Sequence, residues 1–157
     1  MMSMAPPPKA PRRSNQELVE ALEHLRYEYS MLLAVAEVLS SSLALNRLLK
    51  NALLESSAIH FRSLVDFLYR PANARSDDMA AEDFFDDQAR WSEVRPTISP
   101  ILDRGRRRAH KEIAHLTYAR LAITESEKDW PFSEITTEIR RLMDLFQETS
   151  GWNLSNP

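Results

Sequence analysis

Apolar residues return every three or four positions from Leu18 to Leu39: Leu18, Leu22, Leu25, Tyr29, Leu32, Ala36 and Leu39. That spacing puts all seven on one face of a helix. Ser14 and Glu17 stand just ahead of the stripe in the form of a capping box, so the helix is expected to begin there and run to about Ser40. A seven-residue repeat this regular packs lengthwise against a neighbour, in a bundle core or across a dimer. After a short connection, a second helix is expected from about Ala44 to Tyr69. Its inward side reads Leu45, Leu49, Ala52, Leu53, Ser56, His60, Leu64, Phe67 and Leu68. Pro71 disfavours helix at Arg70 and closes the run. His60 lies on or beside the apolar face and reads as a hydrogen-bonded core residue; Arg62 and Asp66 are i,i+4 neighbours and read as a surface pair.

Residues 71–98 have another texture. Six acids (Asp77, Asp78, Glu82, Asp83, Asp86, Asp87) are interleaved with Met79, Phe84, Phe85 and Trp91. A short amphipathic helix over about residues 78–88 is expected, with an acidic face turned to solvent or laid against a basic one. The spacing does not match a calcium loop or a histidine-assisted site, so no metal is expected here.

The stretch 99–121, SPILDRGRRRAHKEIAHLTYARL, is expected to form one long helix. Ser99 is its N-cap and Pro100 its first residue. Ile101, Leu102, Gly105, Ala109, Ile113 and Leu116 form the inward face, and the small Gly105 and Ala109 let another helix come close. Arg108, Lys111, His115 and Tyr118 recur at three, four and three, which makes a polar stripe beside the apolar one. Arg108 and His115 are seven residues apart, nearly the same azimuth and roughly 10 Å along the axis, a spacing that could flank a phosphodiester. His110 and His115 do not form a zinc-protease pair, because they stand five apart rather than four. Trp130-Pro131-Phe132 reads as an anchor before a last helix striped by Ile135, Ile139, Leu142 and Phe146; Gly151 ends it and Trp152 folds back.

No period-two segment and no internal repeat interrupts this pattern, and two glycines in 157 residues leave few tight turns. The expected fold is therefore all-α: an up-down helical bundle of four long helices plus one short acidic helix. Residues 14–151 form the single domain, between a disordered Pro-rich tail (1–13) and a C-terminal tail (152–157). The net charge is −3, so the protein as a whole does not attract nucleic acid; Arg104, Arg106, Arg107, Arg108 and Lys111 are the one local excess of cations. There is no cysteine, which excludes disulfides and thiolate sites and fits the cytoplasm. No signal peptide and no membrane span are expected.

Two segments carry a resemblance. AIHFRSLVDFLY (58–69) and RRRAHKEIAHLTYAR (106–120) resemble, in order and helical setting, the HEPN superfamily of small all-α bundles. Many members are dimeric, metal-independent ribonucleases with an arginine and, several residues on, a histidine near the start of a late helix. Arg108 and His115 match, with six residues between. The resemblance implies that His115 acts on the RNA 2′-hydroxyl or the leaving oxygen and that Arg108 stabilises phosphorane charge. Arg104, Arg106, Arg107, His110, Lys111 and Tyr118 would bind phosphate. Active members place Asn, His or Asp directly after the arginine, where this chain has Ala109. The resemblance thus extends to a non-catalytic branch that serves as a binding module. Three readings follow: a homodimeric domain binding RNA, a nucleotide or a protein encoded nearby; a metal-independent RNase needing no cofactor; and a structural interaction domain whose basic stripe pairs with its own acidic segment.

Overall fold

The computed structural model describes residues 12–113, 118–124 and 129–155. Among these, every regular element is helical. Helix α1 spans Asn15–Ser40, α2 Arg47–Leu68, α3 Ala89–Val94, α4 Pro100–Arg108 and α5 Phe132–Ser150. Single 3-10 turns cover Ala81–Phe84 and Tyr118–Ala122, and a π turn covers Ala109–Ile113.

The helix ends follow their capping chemistry. Ser14 accepts from the Glu17 amide while the Glu17 carboxylate accepts from the Ser14 amide, completing the capping box; the Ser14 amide and hydroxyl, both donating to the carboxylate, hold the Glu17 carboxyl below its usual range. Asn46 caps α2 through the Leu49 amide. Ser99 accepts from the Leu102 amide and donates to Glu138 on α5, which ties the start of α4 to the last helix. Gly151 closes α5 at φ 76°, a left-handed conformation that glycine adopts without cost.

The core is built from Leu18, Leu22, Leu25 and Leu32 of α1, Phe61 to Leu68 of α2, Leu102 of α4 and Ile135 to Phe146 of α5. Phe67, Phe84, Phe85, Trp91 and Phe146 form an aromatic cluster across it, mostly edge to face. The Trp91 indole N–H donates to the Leu68 carbonyl at 2.8 Å. His60 is buried and bonded to Glu28 at 2.8 Å, the core role expected of it.

Gly105 marks a close approach of α4 to α2. A Cβ there would lie 2.8 Å and 2.9 Å from the Phe61 ring, and Phe61 is itself buried. Gly105→Ala is therefore expected to destabilise by about 1–2 kcal/mol, an overpacking cost reduced by alanine's better helix propensity. A thermal melt checks it, and a rise in melting temperature would mean that Phe61 has room to move.

Three expectations are corrected. The acidic segment is not a helix over 78–88. Asp83 and Asp87 accept from the Ala80 and Ala89 amides, and short carboxylates spent on nearby backbone favour turns over helix. The stretch 99–121 is not one regular helix: it is α-helical to Arg108 and widens into the π turn. Residues 114–117, with His115 and Leu116, lie outside the described residues. Finally, the inward stripe of α2 begins only at Ser57. Leu49 and Ala52 are exposed and Leu45, Leu53 and Ser56 half-buried, because α4 and the π turn meet α2 at its other end, around Ala58, Phe61 and Asp66.

Near the N-terminal end, Arg12 pairs with Asp86 and Arg13 donates to the Ser76 carbonyl. Residues 1–11 lie outside the described residues. Trp152 does fold back, onto Phe84.

Candidate functional site

α4 runs antiparallel to α2: Arg106 meets Asp66 and Tyr69, Gly105 meets Phe61, and the π turn continues beside Ala58. The connection that follows α2 then turns back over the same side. Between these pieces and α1 lies an open groove of about 820 Å³. Its cations come from three places: Arg62 on α2, Arg70 and Arg75 in the connection, and Arg106, Arg107 and Lys111 on α4 and the π turn. Glu28, Asp66 and Asp78 also line it, with His24 and His110, over a floor that includes Leu25, Leu64 and Phe67. Six cations face three carboxylates in a chain whose net charge is −3.

Two aspartates organise the cations. Asp66 sits between Arg62 at 3.5 Å and Arg106 at 3.7 Å; Asp103 sits between Arg106 at 3.4 Å and Arg107 at 2.6 Å. Arg106 also donates to the Tyr69 carbonyl. Arg70 donates to the Arg75 carbonyl, and the Arg75 amide donates to Asp78, which folds the connection against the groove. The Arg62, Arg70, Arg106 and Arg107 guanidiniums thus have partners before any ligand arrives, and less side-chain entropy is lost on binding.

Burial pushes the Asp66 carboxyl above its usual range, while Arg62 and Arg106 pull it back. The folded chain holds this proton more tightly than the unfolded one, so the cost of burying the carboxylate is relieved as pH falls. Protonation also releases Arg62 and Arg106 from their shared counter-ion. Affinity for a phosphodiester, whose own charge is constant in this range, is therefore expected to rise on acidification. Asp66→Asn should bind about five-fold tighter at neutral pH, from the loss of one charge at contact distance, and should flatten the profile. His24 and His110 share the groove, so the informative quantity is the difference between wild type and Asp66→Asn in titrations across pH. Equal slopes would remove Asp66 from the account.

The residues expected to form one stripe are divided. Arg106, Arg107, His110 and Lys111 line the groove. Arg108 does not. Its guanidinium is engaged elsewhere: Nε donates to both Glu112 carboxylate oxygens at 3.1 Å, a terminal N–H donates to the Asp129 carbonyl at 3.0 Å, and the group lies 4.4 Å over the Trp130 ring, which stacks on Phe132. Arg104 is exposed on α4 outside the groove, and Tyr118 is almost fully exposed on its 3-10 turn. His115 lies outside the described residues. The helix changes type just where Arg108 leaves the groove side. A turn bonded i to i+5 advances each residue by less than an α-helix does, so azimuths counted at 100° per residue no longer hold beyond it.

Sequence reasoning missed Arg62, Arg70, Arg75, Asp66, His24 and Glu28 as site residues. Only the i,i+4 spacing of Arg62 and Asp66 was visible. Of the acidic segment, Asp78 reaches the groove, whereas Glu82 pairs with Arg95 and Asp86 with Arg12. No three His, Asp or Glu among the described residues are grouped as metal ligands, and no described helix is long and apolar enough to cross a membrane. Compared with protein-family models, curated proteins and solved structures, the chain matches none.

Proposed function

We propose that the chain is a HEPN-like helical domain, an up-down bundle in which α1, α2, α4 with its continuation, and α5 are the four long members, and that it binds single-stranded RNA by its phosphates. The observation that carries this reading is the convergence of six cations from separate elements on one groove of an acidic protein. Arginine suits the task because its planar fork pairs two phosphate oxygens at once. An open groove, with histidines and a partly apolar floor beside the cations, accommodates bases as well as phosphates.

Binding takes precedence over cleavage because Arg108, the residue that would have to stabilise a phosphorane, is held by Glu112, Asp129 and Trp130. The test is anisotropy of a labelled RNA oligomer over a salt series, with a free nucleoside monophosphate as competitor. Affinity that falls steeply with salt and resists the competitor supports RNA. Displacement by the free nucleotide at equal concentration moves the reading to a nucleotide. Absence of binding at low salt ends it.

A further inference from the structure

The turn between α1 and α2 lies at the end of α2 away from Ala58, Phe61 and Asp66, where α4 and the π turn meet that helix. Residues 38–54, around this turn, hold seven leucines with Arg47 and Lys50 and no acid, in a chain that has 23 acids. Leu43 is 63% exposed, Leu48 79% and Leu49 46%. Single exposed leucines are ordinary, but three so close together make a patch.

The cations depart from a second rule. α1, α4 and α5 carry Glu17, Asp103 and Glu134 in their first turns, where an acid suits the positive end of the helix dipole. α2 has no acid there; Arg47 is its first residue and Lys50 its fourth. Both are exposed, and among the described residues neither has an ion-pair partner. The placement opposes the dipole and gains the fold no contact among those residues. Local rules broken without compensation inside a fold mark a surface kept for something outside it. Here that something must take leucines and carry negative charge.

We propose that the α1–α2 tip docks on an anionic phospholipid surface. Leu43, Leu48 and Leu49 enter the boundary between headgroups and acyl chains, and Arg47 and Lys50 reach the lipid phosphates. A bilayer fits better than a groove on a protein because of the directions involved. Leu48 and Leu49 are adjacent and about 100° apart round the helix, and Leu43 stands in the turn before it. The three surround the tip rather than share a face; a fluid interface closes around such a shape, whereas a groove takes one side. The backbone is prepared for a drier medium. The Leu43 amide donates to the Ser41 hydroxyl, the Leu45 amide to the Leu43 carbonyl and the Leu49 amide to the Asn46 side chain, so these donors bring their partners with them. The long stems of Arg47 and Lys50 keep their charges at phosphate level while the leucines sit deeper. Such an element lies on the membrane and does not cross it, consistent with the absence of a spanning helix among the described residues. Docking does not rest on RNA binding: Arg62, the groove cation on α2, stands roughly 20 Å along that helix from Arg47.

Flotation of the full chain with lipid vesicles tests this. Vesicles with about 30% phosphatidylglycerol in phosphatidylcholine are expected to bind about 30-fold more tightly than phosphatidylcholine alone, from two cations near an anionic surface. Leu48→Asp should weaken binding to the anionic vesicles about 20-fold or more, with unchanged helical signal because Leu48 is exposed. Arg47→Gln with Lys50→Gln should lower anionic binding to the neutral level. Cations of the groove also attract anionic lipid, so Arg107→Glu with Lys111→Glu is the counter-test, and binding should survive it within a few-fold. The chain has no cysteine, so a polarity-sensitive dye on Ser42→Cys should report an apolar environment when vesicles are added, and the same dye on Glu148→Cys, exposed on α5, should not. Failure to float with anionic vesicles, binding indifferent to Leu48→Asp, or equal response of the two dyes would overturn the proposal. Binding abolished by the Arg107 and Lys111 reversals would overturn it too, by giving the lipid phosphates to the groove. None of these results touches RNA affinity, which is measured without lipid.

Discussion

Reversing the charge at Arg107 and Lys111 together is expected to lower affinity for single-stranded RNA about 100-fold at low salt. Both side chains line the groove. Arg107 is mostly exposed and, among the described residues, pairs with Asp103 on its own helix, so replacing it disturbs little of the fold. Two reversals change the groove by four charge units. At the distances of direct phosphate contact in a wet site, each unit is worth about 0.5–1 kcal/mol, and four together give about two orders of magnitude. The dependence on salt should change too. Each phosphate contact on a single strand contributes about 0.7 to the slope of log affinity against log salt, so losing two should reduce the slope by about 1.4. Arg104→Glu is the control, because Arg104 is exposed on the same helix but does not line the groove. A few-fold effect there, beside 100-fold for the pair, locates binding in the groove. Equal effects per charge would replace the groove with a diffuse field around α4, and the argument from geometry would fail.

The difference between Arg107 and Arg108 shows what a sequence can carry about such a site. The run from Arg104 to Lys111 announces local positive charge, and the stretch does begin as the helix that Ser99 and Pro100 foretell. Which cation faces a ligand is decided by partners far along the chain. Arg108 is taken by Trp130 and the Asp129 carbonyl, about twenty residues away, whereas Arg106 is turned toward the groove by Asp66, forty residues back. None of these distances is encoded in local periodicity. Arg62 and Asp66 illustrate the same limit from the other side. Their spacing correctly indicates contact, and the contact exists, but its meaning changes once Arg106 joins it and burial raises the Asp66 carboxyl.

Helix ends were the most legible feature, because a cap is a contact between residues three or four apart. Ser14 with Glu17, Ser99 with Pro100, and Gly151 all perform the roles their chemistry suggests. Faces were legible only in direction. The α2 stripe from Leu45 to Leu68 is one continuous apolar side, yet only its second half is buried. Periodicity says which way a side points and is silent on whether another helix lies opposite. The acidic segment failed for a different reason: Asp83 and Asp87 bond nearby amides, and that local competition outweighs the apolar spacing of Phe84, Phe85 and Trp91.

That segment nonetheless supplies the largest expected loss of stability. Trp91 is fully buried, stacks on Phe85 at 5.9 Å, meets Phe146 edge to face and donates to the Leu68 carbonyl. It fixes the long connection after α2 to the end of that helix, and the connection brings Arg75 and Asp78 to the groove. Trp91→Ala is expected to cost about 3–5 kcal/mol, the range for emptying a large aromatic from a core. A domain of this size holds roughly 5–15 kcal/mol in all, so the urea midpoint should fall by at least a fifth. Trp91→Phe separates packing from the hydrogen bond. It keeps most of the ring contact, and the Leu68 carbonyl still accepts from Arg95, so no buried acceptor is left unpaired and the loss should stay near 1–2 kcal/mol. If Trp91→Ala unfolded within 1 kcal/mol of wild type, the connection would not be part of the cooperative core. A groove wall anchored so weakly could not preorganise Arg70 and Arg75, and the groove's arginines would then have to be ordered by the ligand itself.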